Sequence, residues 1–144
     1  MSDLTDQGIA SVVIIASTTF IHAVFIALAA ALIRAGGIGA SGSFRVFRDT
    51  ILLVMVALIL SFAHALEIGI WAGAFLRLQI FNDLETALYF SAVSYTTLGF
   101  GDLIVERPWR LLSGAAAANG LLLFGLSAAF LAEISVKLRL SGDR

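Results

Sequence analysis

The chain has 144 residues, of which 60% are hydrophobic and 13% charged, and its formal net charge at pH 7 is −1. A mean hydropathy of +0.99 excludes an ordinary soluble domain and indicates a membrane protein. The slight negative charge argues against a nucleic-acid partner, and the lack of cysteine excludes disulfides, thiolate metal sites and cysteine nucleophiles.

The first predicted element is an N-terminal transmembrane helix over residues 1–33. Residues 7–33 contain no Asp, Glu, Lys or Arg, and as a helix they would extend about 40 Å, enough to cross a bilayer. The acidic start, with Asp3 and Asp6, argues against a secretory signal peptide. We interpret His22 as hydrogen-bonded to a neighbouring helix or placed near a wet surface, rather than as a functional residue.

Residues 34–48 form a predicted cytoplasmic linker, rich in glycine and serine, that ends in the basic and aromatic stretch from Phe44 to Arg48. Arginine suits anionic lipid headgroups and phenylalanine can enter the membrane interface. We therefore expect this stretch to rest at the membrane surface, with lipids as partners.

The second span is predicted over residues 49–76, with Glu67 as the charged residue in its interior. His64 lies three positions before Glu67, so the two share a helical face. We favour a structural role, in which both point into the bundle and bond each other or the back of the next helix. A proton-sensing role comes second. Metal binding comes last, because two ligands do not complete a site.

A short polar segment separates the second and third spans. Asn82 is predicted to cap a helix over residues 82–95, with Glu85 at its third position. Residues 96–102 follow, with the sequence Thr-Thr-Leu-Gly-Phe-Gly-Asp. Alternate glycines open φ values closed to other residues, so successive carbonyl oxygens can point the same way. Such a row of oxygens can replace the water around a cation.

Residues 87–102, together with Trp109, resemble the pore helix and selectivity filter of the potassium channel family, whose filter is usually written TVGYGD. The resemblance covers residues 49–137 and leaves the first helix unexplained. It implies an all-α integral membrane protein with three transmembrane helices and a re-entrant pore helix, assembled as a homotetramer around one axis. It also implies passive potassium conduction, with potassium ions in the filter and no other cofactor.

The same resemblance assigns roles to residues around the filter, residues 96–102. Potassium would bind the backbone carbonyls of Thr97, Leu98, Gly99 and Phe100, with Gly101 completing the conducting segment. The residues implied to support the filter are Thr96, Asp102, Tyr89, Phe90, Val93 and Trp109. The side chains of Leu98 and Phe100 would pack against the pore helix.

Three departures from the family pattern bear on filter stability. Phe100 replaces the commoner tyrosine and lacks its hydroxyl, and Leu98 replaces the commoner valine. Val93 stands where some family members have a carboxylate that pairs with the filter aspartate. Asp102 therefore needs another hydrogen-bond donor.

The third span is predicted as an inner helix over residues 108–137. It is rich in small residues, and Gly120 and Gly125 serve either close helix packing or a hinge. The resemblance suggests that one face lines the inner pore; its candidates are Leu122, Leu126, Ala129, Phe130 and Glu133. Four copies of Glu133 would form a carboxylate ring that attracts cations. The alternative, slightly favoured, is a surface pair with Lys137, four residues on.

Basic residues set the predicted orientation in the cell membrane. Arginines precede the second span, and Lys137, Arg139 and Arg144 follow the third. The positive-inside rule then places the linker and the tail, residues 138–144, in the cytoplasm and the N-terminus outside. The tail is too short for a soluble regulatory domain.

Other function classes fit the sequence less well. A weakly selective monovalent cation channel shares every feature above and remains the alternative. A potassium transporter subunit would carry four pore repeats in one chain, and a non-conducting scaffold would not need the filter sequence. An enzyme is not expected, because the chain lacks a nucleophile with a paired base and a cofactor motif.

Overall fold

The computed structural model describes residues 2–36 and 44–140, with side chains from residue 4 to residue 138. These residues form four α-helices and no strand: α1 (Ser2–Ala35), α2 (Arg45–Arg77), α3 (Leu84–Tyr95) and α4 (Arg110–Leu140). Three segments are long and apolar enough to cross a membrane, Leu4–Ala35, Arg45–Arg77 and Arg110–Leu138. The prediction of an all-α protein with three membrane-length helices is confirmed. Residues 37–43 of the predicted linker and 141–144 of the tail lie outside the described residues.

Two predicted helix starts are wrong, for local reasons. The helix start at Asn82 is wrong because Asp83 is the N-cap of α3, its carboxylate accepting a hydrogen bond from the Thr86 amide at 2.8 Å. The second span begins at Arg45 rather than at the predicted residue 49, because the basic stretch forms the first turn of α2. There the Arg45 guanidinium donates to the Leu138 carbonyl at 2.9 Å, which ties the start of α2 to the end of α4. The place of the basic stretch at the membrane surface stays a prediction.

Helices α1 and α4 point in one direction and α2 in the other. Near the start of α1, the Gln7 side-chain oxygen accepts a hydrogen bond from the Leu111 amide at 3.0 Å, so the first turns of α1 and α4 are neighbours. The end of α1 approaches α2 near its beginning, where Gly36 lies against Leu52. The end of α2 therefore lies beside the starts of α1 and α4.

The core has two apolar clusters, one toward each end of the bundle. The aromatic cluster lies where α3 packs between α2 and α4. Within it the rings of Phe75 and Phe90 meet edge to face, with centroids 5.3 Å apart. Its buried members are Trp71, Phe75, Phe90, Tyr95, Val105, Leu112, Ala116 and Leu123. The aliphatic cluster lies at the other end and contains Ala29, Ile33, Val56, Leu60 and Ile134.

The outer faces of the long helices remain apolar. Large hydrophobic side chains are exposed on each of them, among them Phe20, Leu58 and Leu121. Such a surface is stable against lipid or against another apolar subunit, but not in water. The polar backbone of residues 96–102 lies at one end of this bundle, whose outer surface is apolar.

Candidate functional site

Residues 96–102 turn back onto the end of α3. The amide of Thr97 donates to the Ser94 carbonyl at 2.9 Å, and the amides of Leu98 and Gly99 donate to the Val93 carbonyl at 3.0 and 3.3 Å. The last carbonyls of a helix lack partners within it, and these three bonds supply them. The conformation of the segment is therefore tied directly to the position of the end of α3.

Left-handed backbone recurs at every second residue of the segment. The φ angles are +60° at Thr97, +55° at Gly99 and +79° at Gly101, whereas Leu98 and Phe100 do not have positive φ. The sequence predicted this freedom for the two glycines but not for Thr97, since β-branched residues rarely adopt positive φ. Alternation of this kind permits the carbonyl oxygens of successive residues to point to one side.

Asp102 finds its donor in Tyr89. The Tyr89 hydroxyl donates to the Asp102 carboxylate at 2.7 Å, from one helical turn before Val93 on α3. This hydrogen bond holds the pKa of Asp102 below its usual range. Sequence reasoning placed Tyr89 behind Leu98 and Phe100, which are 59% and 65% exposed in the single chain. Their packing against the pore helix stays a prediction.

The Tyr89 bond should be visible in a titration. Because it favours ionised Asp102, its stabilising effect is present above the ordinary aspartate pKa and is lost as the pH falls through the lowered pKa. Tyr89→Phe should therefore raise the pKa of Asp102, as measured by NMR titration of its carboxyl carbon. The pKa of Asp83, which the Thr86 amide lowers, should not move and serves as the internal control. An unchanged Asp102 titration would contradict the bond.

Two open depressions adjoin the predicted pore surfaces. One lies between the filter segment, residues 96–102, and the start of α4, and its lining includes Thr97, Gly99 and Asp102. The other is an almost wholly apolar depression on α4 alone, lined by Ala118, Leu121, Leu122, Gly125 and Leu126. The second depression lies along the α4 face on which the inner-pore candidates were predicted.

The inner-pore candidates divide into exposed and packed residues. Leu122, Leu126, Ala129 and Glu133 are exposed in the single chain, and their place on an ion path stays a prediction. Phe130 is half-buried and packs against the aliphatic cluster. The Lys137 ammonium donates to the Glu133 carboxylate, the contact that the surface-pair alternative expects. Both that alternative and the carboxylate ring stay predictions.

Gly120 and Gly125, each predicted to serve either close helix packing or a hinge, differ in their surroundings. A Cβ on Gly120 would lie 1.9 Å from the backbone oxygen of Tyr95, whereas a Cβ on Gly125 would meet nothing within 4 Å. Gly120 therefore serves the close packing of α4 on the end of α3. Trp109, the predicted marker at the entry to the third span, packs half-buried against the aromatic cluster.

Between the two apolar clusters lies a buried polar cluster made of His22, His64, Glu67, Tyr95 and Ser127. Nδ1 of His22 and of His64 lie 2.9 and 3.1 Å from the two oxygens of Glu67, and the Tyr95 hydroxyl donates to the same carboxylate. Nε2 of His64 and of His22 lie 3.0 and 3.2 Å from the Ser127 hydroxyl. His22 bonds a neighbouring helix and His64 bonds Glu67, as the sequence predicted; a purely structural role for these residues stays a prediction. Proton sensing stays a prediction.

The chemistry of the buried polar cluster is that of a closed hydrogen-bonded ring. Possible ligand atoms, one each from His22, His64 and Glu67, lie within 4.8 Å of one another, a combination of ligands that zinc also uses. Every ring nitrogen and both carboxylate oxygens nevertheless have hydrogen-bond partners within the cluster. We therefore treat it as a hydrogen-bonded network. The sequence did not indicate that His22 joins it, because nothing local shows a partner 45 residues away.

A second buried polar contact, one helical turn from the buried polar cluster, was also not predicted from the sequence. The Asn119 side-chain oxygen accepts hydrogen bonds from the Thr18 hydroxyl at 2.8 Å and from the Trp71 indole at 3.0 Å. Asn119 is thus a buried link between α1, α2 and α4. An asparagine inside an apolar span is the signal that could have identified it, because buried amides require partners.

Comparison with known families identifies a match over most of the chain. The model of a family described as ion channel covers residues 50–137, more than half of the chain, and includes α3, the filter segment and the predicted inner helix. Helix α1 lies before the matched residues. Neither curated proteins nor solved structures give a match. The chain belongs to this ion channel family, and its function is that of a channel rather than an enzyme.

Proposed function

We propose that the chain is one subunit of a potassium-selective channel, whose conducting path is the backbone of residues 97–101. The observation that carries this proposal is the left-handed backbone at Thr97, Gly99 and Gly101, directly after the C-terminal end of α3. That end carries the negative pole of the helix dipole and favours a cation nearby. Carbonyl oxygens in a row exchange for the hydration shell of the ion.

A single chain supplies one strip of carbonyls, so the path requires several chains around an axis. We propose four, as a cyclic homotetramer in which α3 lies re-entrant at the outer end of the bundle. The exposed apolar side chains of Leu122 and Leu126 on α4 suit burial against other subunits or a pore below the filter. The carbonyls of Thr97, Leu98, Gly99 and Phe100 then form stacked rings, and repulsion between ions in neighbouring rings drives conduction.

Flux measurements on liposomes test the conducting role. The purified chain, reconstituted with a potassium gradient, should pass potassium well and sodium poorly, and barium should block the flux. Liposomes without protein serve as the control for ion leak through the bilayer. Equal potassium and sodium permeability would replace this proposal with a weakly selective cation channel. The comparison of the two ions matters here because Phe100 lacks the hydroxyl of the commoner tyrosine, a departure that bears on filter stability. A wild-type chain that passes neither ion would contradict both.

The proposed orientation places the N-terminus outside and the C-terminus in the cytoplasm, because basic residues flank the cytoplasmic ends. Single cysteines at positions 2 and 141 provide a clean test, since the chain has no cysteine of its own. A membrane-impermeant maleimide should label position 2 in sealed cells and label position 141 only after lysis. The cysteine-free chain is the control, and labelling of position 141 from outside would contradict the topology.

A further inference from the structure

Helix α1 lies before the residues matched by the family model, yet it is hydrogen-bonded to the residues that hold the end of α3. His22 is fully buried on α1, and its Nδ1 lies 2.9 Å from Glu67 on α2. The same Glu67 accepts a hydrogen bond from the hydroxyl of Tyr95, the last residue of α3. Two hydrogen bonds therefore connect α1 to the residue that directly precedes the filter segment.

Tyr95 is held in place at its side-chain hydroxyl and at its backbone oxygen. Its hydroxyl is held by Glu67, and its backbone oxygen lies against Gly120 of α4. Residues 93 and 94, just before it, provide the carbonyls that accept the amides of residues 97–99. A displacement of Tyr95 would therefore be transmitted to the filter backbone through these bonds.

Hydrogen-bond counting shows why His22 is needed. Nδ1 of His22 lies against one oxygen of the Glu67 carboxylate, whereas Nδ1 of His64 and the Tyr95 hydroxyl both bond the other oxygen. The Ser127 hydroxyl bridges Nε2 of the two histidines. Loss of His22 therefore removes the hydrogen-bond partner of one oxygen of Glu67, which is buried and needs one.

We propose that α1 is a positioning element of the filter, in which His22 acts through Glu67 and Tyr95 to fix the end of α3. The part of this proposal that concerns ion selection rests on the proposed function. The fixing of the end of α3 by His22 concerns the fold alone. His22 and Glu67 are positioning residues, since both act through Tyr95.

Hydrogen–deuterium exchange of the full chain in lipid nanodiscs tests the positioning directly. His22→Leu should speed exchange of the amides of residues 97–99 about tenfold, the scale expected for loss of one hydrogen bond to a charged group. Thr18→Val is the matched control, because Thr18 is also buried on α1, one turn away, and bonds Asn119 instead. It should leave those amides unchanged.

Two further variants keep the test decisive if His22→Leu folds poorly. Tyr95→Phe removes a single hydroxyl and should speed exchange of the same amides, with no added effect of His22→Leu in the double variant, because both act through one path. His22→Gln keeps a donor toward Glu67 and should restore slow exchange. Unchanged filter exchange in Tyr95→Phe, or equal effects of Thr18→Val and His22→Leu, would overturn the proposal.

Potassium-to-sodium permeability ratios of the same variants complete the experiment. A lower ratio for His22→Leu and Tyr95→Phe, but not for Thr18→Val, supports a positioning role in ion selection. If the wild-type chain fails to select potassium while the exchange pattern holds, the proposed function fails and the positioning of the segment stands.

Discussion

Gly120→Ala should prevent α4 from packing against the end of α3. The added Cβ would lie 1.9 Å from the Tyr95 backbone oxygen and 2.8 Å from its ring, so the two helices must move apart by roughly an ångström, because packed interiors leave no slack. Overpacking of this kind costs about 1–3 kcal/mol, or more where the obstacle is backbone. We expect a lower midpoint of thermal unfolding in detergent and loss of ion flux.

Gly125→Ala is the matched control for this change. Gly125 lies five residues along the same helix, and its added Cβ would meet nothing within 4 Å in the chain. Alanine also has the higher helix propensity, so this variant should unfold at or above the wild-type temperature. Equal stability of the two alanine variants would show that α4 does not approach Tyr95 as closely as described.

Gly99→Ala should abolish potassium flux while leaving the helices folded. Gly99 has a φ of +55°, and an alanine there costs about 1–2 kcal/mol because its Cβ crowds the following carbonyl. In a tetramer the four copies would together oppose the conducting conformation by roughly 4–8 kcal/mol. The measurement is potassium flux in liposomes, with helix content checked by circular dichroism.

Gly73→Ala provides the comparison for the filter variant. Gly73 is exposed on α2 with open space around it and has ordinary helical φ, so its flux should match that of the wild type. Full flux with unchanged selectivity in Gly99→Ala would show that residue 99 does not need the left-handed conformation for conduction.

The fold was largely predictable because the membrane makes helix spans easy to recognise. Long apolar runs over α1, α2 and α4 have no stable alternative to the helix in hydrocarbon, where every backbone group must be bonded internally. The start of α3 was predicted one capping residue too early, because Asn82 and Asp83 are both good caps and only the Thr86 amide distinguishes them.

The site was predictable where it depends on local backbone and not where it depends on distant contacts. Alternate glycines indicated the left-handed positions 99 and 101, but the positive φ of Thr97 follows from the bonds that pull the segment onto α3. The pairing of His64 with Glu67 follows from helical spacing, whereas the approach of His22 depends on how α1 docks. Sequence alone carries no measure of that docking.

Buried polar side chains of α1 also determine how far this helix can slide along its neighbours. Thr18 and His22 lie one turn apart and bond different partners, Asn119 on α4 and Glu67 on α2. A slide of one turn, about 5.4 Å, would bring His22 to the level of Asn119 and put Ile26 opposite the Glu67 carboxylate, which would then lose a donor inside the bundle. Near the start of α1, Gln7 accepts a hydrogen bond from the Leu111 amide of α4, and the same slide would break it. These three hydrogen bonds therefore select a single axial register for α1.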